Sequence, residues 1–205
     1  MSKSLKILIG TLILAGAGHA VAASSVDLNV KGLITPNACR PSLSDGGLID
    51  HGKISAKDLK PNNPTLIGTH TLTLHVNCEA AIAFALRGLD NRAGSSMSSN
   101  FGLGLINGDQ KLGQFQITLV NPVADGVAVQ PIASYDLGNT WIKEKFMEPD
   151  LYMSIATMAD HSQPLPTKEL VLDLRIQTVI YKTDGLDLSN EVPIDGSAVL
   201  EVKYL

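Results

Sequence analysis

Two cysteines and five histidines supply the thiol and imidazole groups with which this sequence could do redox chemistry, bind a metal or move a proton. Cys39 and Cys78 are far apart in the chain, whereas redox pairs usually read C-x-x-C and metal sites want closer spacing and more Cys or His nearby. The start of the chain indicates export, and an even cysteine pair in an oxidising compartment is typical of a disulfide. The sequence therefore favours a structural disulfide between Cys39 and Cys78, with a metal or redox pair as the alternative.

The histidines do not form a pattern that indicates catalysis or metal binding. His70 and His75 are five positions apart in an alternating segment, so their side chains point to opposite faces of a strand and do not readily share a metal. His51 and His161 each follow an aspartate, but no nucleophile or third partner accompanies them, which favours solvated loop residues. Because G-x-S-x-G, H-E-x-x-H, phosphate-loop and dinucleotide motifs are also absent from the sequence, we expect no enzymatic activity, no cofactor and no metal site.

The single tryptophan, Trp141, is the candidate for contact with a ligand. It follows Gly138, Asn139 and Thr140 in a turn-like setting, where an exposed indole would be able to stack on a sugar. The alternative is packing in the core or at its rim, which is favoured because large aromatic side chains are mostly buried.

The first 22 residues have the pattern of a secretion signal. Lys3 and Lys6 precede the apolar stretch 7–18, and residues 20–22 read Ala-Val-Ala, which fits the small-x-small cleavage rule. The stretch is too short to span ~30 Å of hydrocarbon as a membrane anchor. We therefore expect an exported chain that starts near Ala23 and has no transmembrane segment after signal cleavage.

Length and charge limit the class of protein further. The remainder of the chain has the length of one domain, or two small ones, and can bury a sizeable core. The formal net charge of the full sequence is −4, and no Lys/Arg cluster is present that would follow a phosphate backbone. The sequence therefore predicts no nucleic-acid partner.

Alternation of apolar and polar residues recurs through the chain, whereas helical periodicity barely appears. Turn-forming Gly, Asn, Asp, Ser and Pro clusters separate the alternating segments, which predicts an all-β sandwich. A continuous apolar run over 80–86 predicts a strand buried on both faces, Asn107-Gly108 predicts a turn, and 55–59 could form one helical turn. The clearest alternating segments are 26–30, 72–78, 115–119, 151–157, 170–181 and 197–205.

The two ends of the exported chain both read as apolar strands. In the last ten residues Ala198, Leu200, Val202 and Tyr204 share one face. Because chain ends usually fray, such a strand lies either inside a sheet of its own domain or at an edge that awaits a strand from another chain. The strand with Val26, Leu28 and Val30 on one face has the same two interpretations, its own core or that of a neighbour, and alternation alone does not separate them.

The sequences around these features resemble a known family. They are V-K-G-L-I-T-P-N-A-C ending at Cys39, L-T-L-H-V-N-C ending at Cys78, and the terminal G-S-A-V-L-E-V-K-Y-L. The chain is similar to fimbrial subunits of the bacterial chaperone–usher pathway, and most of all to an uncharacterised fimbrial-like branch that carries a domain of unknown function.

The resemblance implies a pilin-type, immunoglobulin-like sandwich that lacks its last strand and is completed by a donated strand. It divides the chain into a signal peptide (1–22), an N-terminal donor segment (23–31) with Val26, Leu28 and Val30, and a pilin-like domain (32–205). The strand of Ala198, Leu200, Val202 and Tyr204 would form the edge of the open groove. The implied partners are a periplasmic chaperone, an outer-membrane usher and neighbouring fimbrial subunits, with the protein passing through the periplasm to a fimbrium on the cell surface. The alternative function is a self-complete exported β-sandwich that recognises a glycan or surface ligand.

Overall fold

The computed structural model of the protein describes residues 38–205. The expected signal peptide and the expected donor residues Val26, Leu28 and Val30 lie outside the described residues. Within residues 38–205 no helix is long and apolar enough to cross a membrane.

Strands dominate this part of the chain, and most of them follow from period-two alternation in the sequence. They are β1 Cys39–Leu43, β2 Thr65–Ile82, β3 Phe84–Asp90, β4 Phe101–Gly102, β5 Leu105–Ile106, β6 Gln110–Lys111, β7 Gly113–Ala124, β8 Val127–Ala128, β9 Gln130–Ser134, β10 Ile142–Lys143, β11 Phe146–Met147, β12 Tyr152–Ala156, β13 Thr167–Ile180 and β14 Ala198–Tyr204. Two short 3₁₀ turns cover Ser44–Gly47 and Ala56–Asp58.

The strands form two main sheets and one small hairpin, and all ladders between named strands are antiparallel. The first sheet has the order β1-β2-β13-β7-β11, with β4 and β8 paired to β7. The second sheet has the order β10-β9-β12-β3-β14, and β5 pairs with β6. The inner faces of the two sheets pack on each other, which confirms the prediction of an all-β sandwich.

The core lies between the inner faces, where alternate residues of the long strands point. In β2 the inward residues include Leu74 and Val76, and in β13 they include Leu172 and Leu174, all nearly without exposed surface. The second sheet contributes Leu86, Met153 and other residues to the same cluster. Each fully buried aliphatic side chain contributes about 1.5–3 kcal/mol, so this cluster supplies most of the stabilising free energy.

The prediction of a single strand over 80–86 was wrong. The ladder of β2 continues to Ile82, Ala83 interrupts it, and β3 begins at Phe84 in the other sheet. The apolar run therefore contains the point at which the chain passes from the first sheet to the second. An unbroken run of apolar residues does not distinguish such a passage from a central strand. Only 84–86 is buried on both faces, as the run predicted.

Two local predictions are confirmed. Asn107 and Gly108 both have positive φ angles, 52° and 96°, and connect β5 to β6 in a hairpin. The expected helical turn over 55–59 appears as a 3₁₀ turn, Ala56–Asp58, in which the Ser55 side chain accepts a hydrogen bond from the backbone N–H of Lys57 at 3.3 Å.

Candidate functional site

The most distinctive feature of the sandwich is a pair of strand edges that border one cavity. Within residues 38–205, β14 pairs only with β3, and β1 pairs only with β2. Each of these strands therefore has one edge whose backbone N–H and C=O groups have no ladder partner in the described part of the chain. Unpaired edges of this kind are templates for pairing with another strand.

The cavity has a volume of about 740 Å³ and is bounded by three parts of the molecule. Leu43 of β1 and residues 47–54 form one wall, and residues 188–200, which include the start of β14, form the other. The floor consists of inward-facing aliphatic and aromatic side chains of the first sheet, together with Leu103 and Leu112 from the segments between β4 and β7. The principal floor residues are Leu72, Leu103, Phe115, Ile117, Leu174 and Ile176.

The four predicted edge residues share one face of β14, as their spacing required. Ala198 and Leu200 line the cavity, and together with Val202 they pack against the main core cluster. Tyr204 closes the strand differently, because its hydroxyl accepts a hydrogen bond from the backbone N–H of Cys39 at 2.9 Å. On the opposite face of β14 Val199 is 46% exposed, whereas Glu201 and Lys203 are half-buried.

The bond between Tyr204 and Cys39 shows how the two walls are arranged. β1 begins beside the end of β14. After β1, the chain lines the cavity over residues 47–54, which form the wall opposite residues 188–197. At that far end the Lys53 ammonium lies 3.6 Å from the Glu191 carboxylate, and both side chains are almost fully exposed. An ion pair so exposed to solvent adds little stability, so the wall is held mainly by apolar contacts such as those of Ile49 with the core.

A disulfide joins Cys39 to Cys78 across the β1–β2 ladder, in which the two residues are direct partners. Cys78 is buried in the main core, whereas three of the five residues of β1 are exposed. The covalent bond therefore fixes an edge strand that buries little side-chain surface of its own.

Trp141 is placed in the protein interior rather than on a binding surface. Its side chain is 8% exposed and packs against Ala85, Ile132 and Ala156 on the outer side of the second sheet. The indole N–H donates to the Gly138 carbonyl at 3.1 Å. Both the ring and its donor are thus engaged within the domain, as the packing interpretation expects.

The lining of the cavity becomes polar at one end, which the sequence did not reveal. His51 lines the cavity, and its Nε2 lies 3.0 Å from the Thr178 hydroxyl. The ring of His70 lies edge-on to that of His51, with 5.0 Å between ring centroids. Burial, reinforced by the neighbouring His70 and opposed by Asp50, lowers the pKa of His51 below its usual value.

The other two histidines of residues 38–205, His75 and His161, take no part in this arrangement. His75 is exposed on the opposite face of β2 from His70, as the five-residue spacing predicted, and His161 is exposed in a loop. In the region from residue 38 to residue 205 no group of three or more His, Cys, Asp or Glu side chains is placed to hold a metal ion.

These features define a class: a two-sheet β-sandwich with an apolar cavity between the edges of β1 and β14. The chain belongs to a family described as "Protein of unknown function (DUF1120)", whose model matches residues 28–141, more than half of the sequence. The match includes β1, β2 and the disulfide but stops before β13 and β14.

Two proteins of Escherichia coli strain K12 are similar to the chain. "Uncharacterized protein YhcF" is 23% identical over 244 residues, an alignment that covers 95% of this chain and 98% of YhcF. "Protein GltF" is 33% identical over 90 residues, which cover 41% of this chain and 35% of GltF. The similarity to YhcF therefore extends over nearly the whole length of this chain.

Proposed function

We propose that the protein is a structural subunit of a fimbria-like surface fibre that assembles by donor-strand exchange. The observation that carries the proposal is the apolar cavity between two strand edges that have no ladder partner on that side within residues 38–205. A strand from another subunit would occupy this cavity and complete the sandwich. Such a role requires no reaction and no cofactor, so the protein is proposed not to be an enzyme.

The chemistry of the cavity suits an extended, alternating strand. The free edge of β14 offers backbone donors and acceptors over seven residues, which supply affinity without regard to sequence. The floor and the Ala198 and Leu200 side chains offer apolar contacts for every second residue of an incoming strand. Backbone pairing and side-chain insertion together specify both the partner and its register.

The donor in this proposal is residues 23–31 of a neighbouring copy, with Val26, Leu28 and Val30 on the inserted face. Before assembly, a periplasmic chaperone would cover the same apolar surface, because an exposed apolar edge of this length is prone to aggregation. An outer-membrane usher would then exchange the chaperone for the next subunit. These steps place the protein first in the periplasm and then on the cell surface.

The experiment is a strand-binding assay with a fluorescent peptide of residues 23–34 and full-length protein released from its chaperone. Leu200→Ser removes an aliphatic side chain from the cavity wall and should weaken binding about 10- to 100-fold, as expected when one buried Leu is lost. Val199→Ser is the matched control on the outer face of the same strand and should change binding less than about threefold.

A second arm leaves the protein unchanged and alters the peptide. Leu28→Asp in the peptide should abolish binding, because an unpaired carboxylate cannot be buried in an apolar cavity without a large free-energy cost. The proposal fails if the unaltered peptide does not bind, or if the protein purified without a chaperone is a stable monomer that unfolds when residues 23–31 are deleted. The second result would identify a self-complete domain. The position of Trp141 lends no support to a glycan-binding role for such a domain.

A further inference from the structure

We propose that His51 and His70 form a two-imidazole binding site for a divalent transition metal at the polar end of the cavity. The site goes beyond strand exchange and does not depend on it. The expected metals are those that favour imidazole nitrogen, with Cu²⁺ bound most tightly.

The position of Gly68 shows that the two rings border a common space. A Cβ atom built on Gly68 would lie 2.9 Å from Nε2 of His70, 2.9 Å from Cε1 of His51 and 3.0 Å from Nδ1 of His51. One ring nitrogen from each histidine therefore lies within 3.0 Å of the same point above the glycine. Any other residue at position 68 would place a side chain in that space.

The strand register explains how this arrangement arises. In the β2–β13 ladder Gly68 is paired with Thr178, and His70 is paired with Ile176, so all four residues lie on the inner face of the first sheet. His51 reaches the same point from the wall segment 47–54.

Nε2 of His51 lies 3.0 Å from the Thr178 hydroxyl, and either atom is able to donate this hydrogen bond. In the tautomer that carries its proton on Nε2, the ring donates to Thr178 and Nδ1 keeps the lone pair that a metal requires. This hydrogen bond also fixes the orientation of the ring. Among the hydrogen bonds of residues 38–205, none engages a ring nitrogen of His70.

Two protein ligands give a site of modest affinity whose remaining positions are filled by water. Asp50, which also lines the cavity, precedes His51 in the chain and adds a carboxylate to this part of the wall. A bound ion would connect the wall segment to the floor of the cavity. Metal binding should therefore stabilise the folded domain by linkage.

The test is titration of full-length, untagged protein with CuCl₂, followed by calorimetry and thermal unfolding. At a metal concentration about ten times the dissociation constant, the melting temperature should rise by about 3–6 °C. His51→Gln and His70→Gln should each weaken binding at least about tenfold, because each removes one of two ligands. His75→Gln is the matched control, since it removes an exposed imidazole from the other face of the same strand and should leave binding unchanged.

Gly68→Ala provides a variant that keeps both ligands but fills the space between them, and it should also lose binding. Electron paramagnetic resonance of the Cu²⁺ complex should report two coordinated nitrogens, which a merely structural role of the histidines would not produce. Absence of saturable binding below about 1 mM would overturn the proposal. So would equal affinity in the wild type, His51→Gln and His70→Gln.

Discussion

Removal of the disulfide offers the clearest test of how the cavity wall is held. The perturbation is the double substitution Cys39→Ala and Cys78→Ala. β1 has five residues, its only ladder partner within residues 38–205 is β2, and the three residues between its ends are exposed. Burial alone therefore contributes little to fixing this strand, and the covalent bond should carry most of its attachment.

The expected magnitude follows from the length of chain that the bond closes. The two cysteines are separated by 39 positions, and in the chain-entropy model a closed loop of this size is worth about 4 kcal/mol. This is a large part of the ~5–15 kcal/mol by which domains are usually stable. For a domain of this size we expect the melting temperature to fall by about 8–16 °C.

The assay is thermal unfolding of the wild type and the double variant, each with and without a thiol reductant. Reductant should lower the melting temperature of the wild type toward that of the variant and should not affect the variant. Ser42→Ala, an exposed change in β1 that leaves both cysteines in place, serves as the control and should stay near the wild type.

The double substitution should also weaken binding of the strand peptide, because it loosens β1. This strand donates the backbone N–H of Cys39 to Tyr204, and its residue Leu43 lines the cavity. A fall of less than about 2 °C would refute the reasoning, since it would mean that packing, and not the covalent bond, holds β1. An unchanged affinity for the peptide despite a large loss of stability would remove β1 from the binding site.

Two further predictions concern single residues outside the two cavity walls. The Thr140 side chain, the Ser134 hydroxyl and the Thr140 backbone N–H lower the pKa of Asp136 to about 2, so this carboxylate adds stability above about pH 4 that is lost as the pH falls toward 2. Asp136→Asn should therefore flatten the decline of melting temperature between pH 4 and pH 2, and an unaltered decline would contradict the assignment. A Cβ atom on Gly113 would lie 2.2 Å from the backbone carbonyl oxygen of Val179 in the paired strand, so Gly113→Ala should cost about 3 kcal/mol in urea unfolding. A cost below about 1 kcal/mol would show that β7 and β13 can separate at this point without loss.

The sequence predicted the parts of the fold that have a strong local signal. β13 and β14 show regular alternation of apolar and polar residues, and β13 appears with its apolar face inward. In β14, Ala198, Leu200 and Val202 pack against the core, whereas Tyr204 at the end of the strand is 37% exposed. The turn at Asn107-Gly108 has an equally local cause, because both residues tolerate positive φ angles.

Strands without that signal were missed. β1 reads Cys-Arg-Pro-Ser-Leu and has no apolar alternation, and Pro41 is tolerated because the strand lies at an edge. β9 contains Pro131, which in a sequence argues against a strand between two neighbours. β1 pairs with the 18-residue strand β2, and β9 pairs with β10 and β12. Both strands are therefore defined by their partners, which is information that a single stretch of sequence does not contain.

Only one of the two walls of the cavity was predictable from the sequence. The apolar face of β14 was visible in the sequence, but the opposing wall over 47–54 has no regular periodicity. The proximity of His51 and His70 depends on a loop returning across the end of a strand, 19 positions away in the chain. No motif in the sequence around either histidine predicts that the two rings lie close together.

Within residues 38–205, the strands at the two ends of each main strand order differ in a way that favours one side of the molecule for binding a strand. On the side away from the cavity the edges are β10 and β11, each only two residues long, which is how proteins usually limit pairing with other chains. On the cavity side the edges are β1 and β14, with five and seven residues, and the surface between them is apolar. A domain that protects two edges by making them short, and keeps long edges beside an apolar cavity, concentrates its capacity for strand pairing at that cavity. The same surface that would promote aggregation is therefore the one through which an ordered fibre would grow.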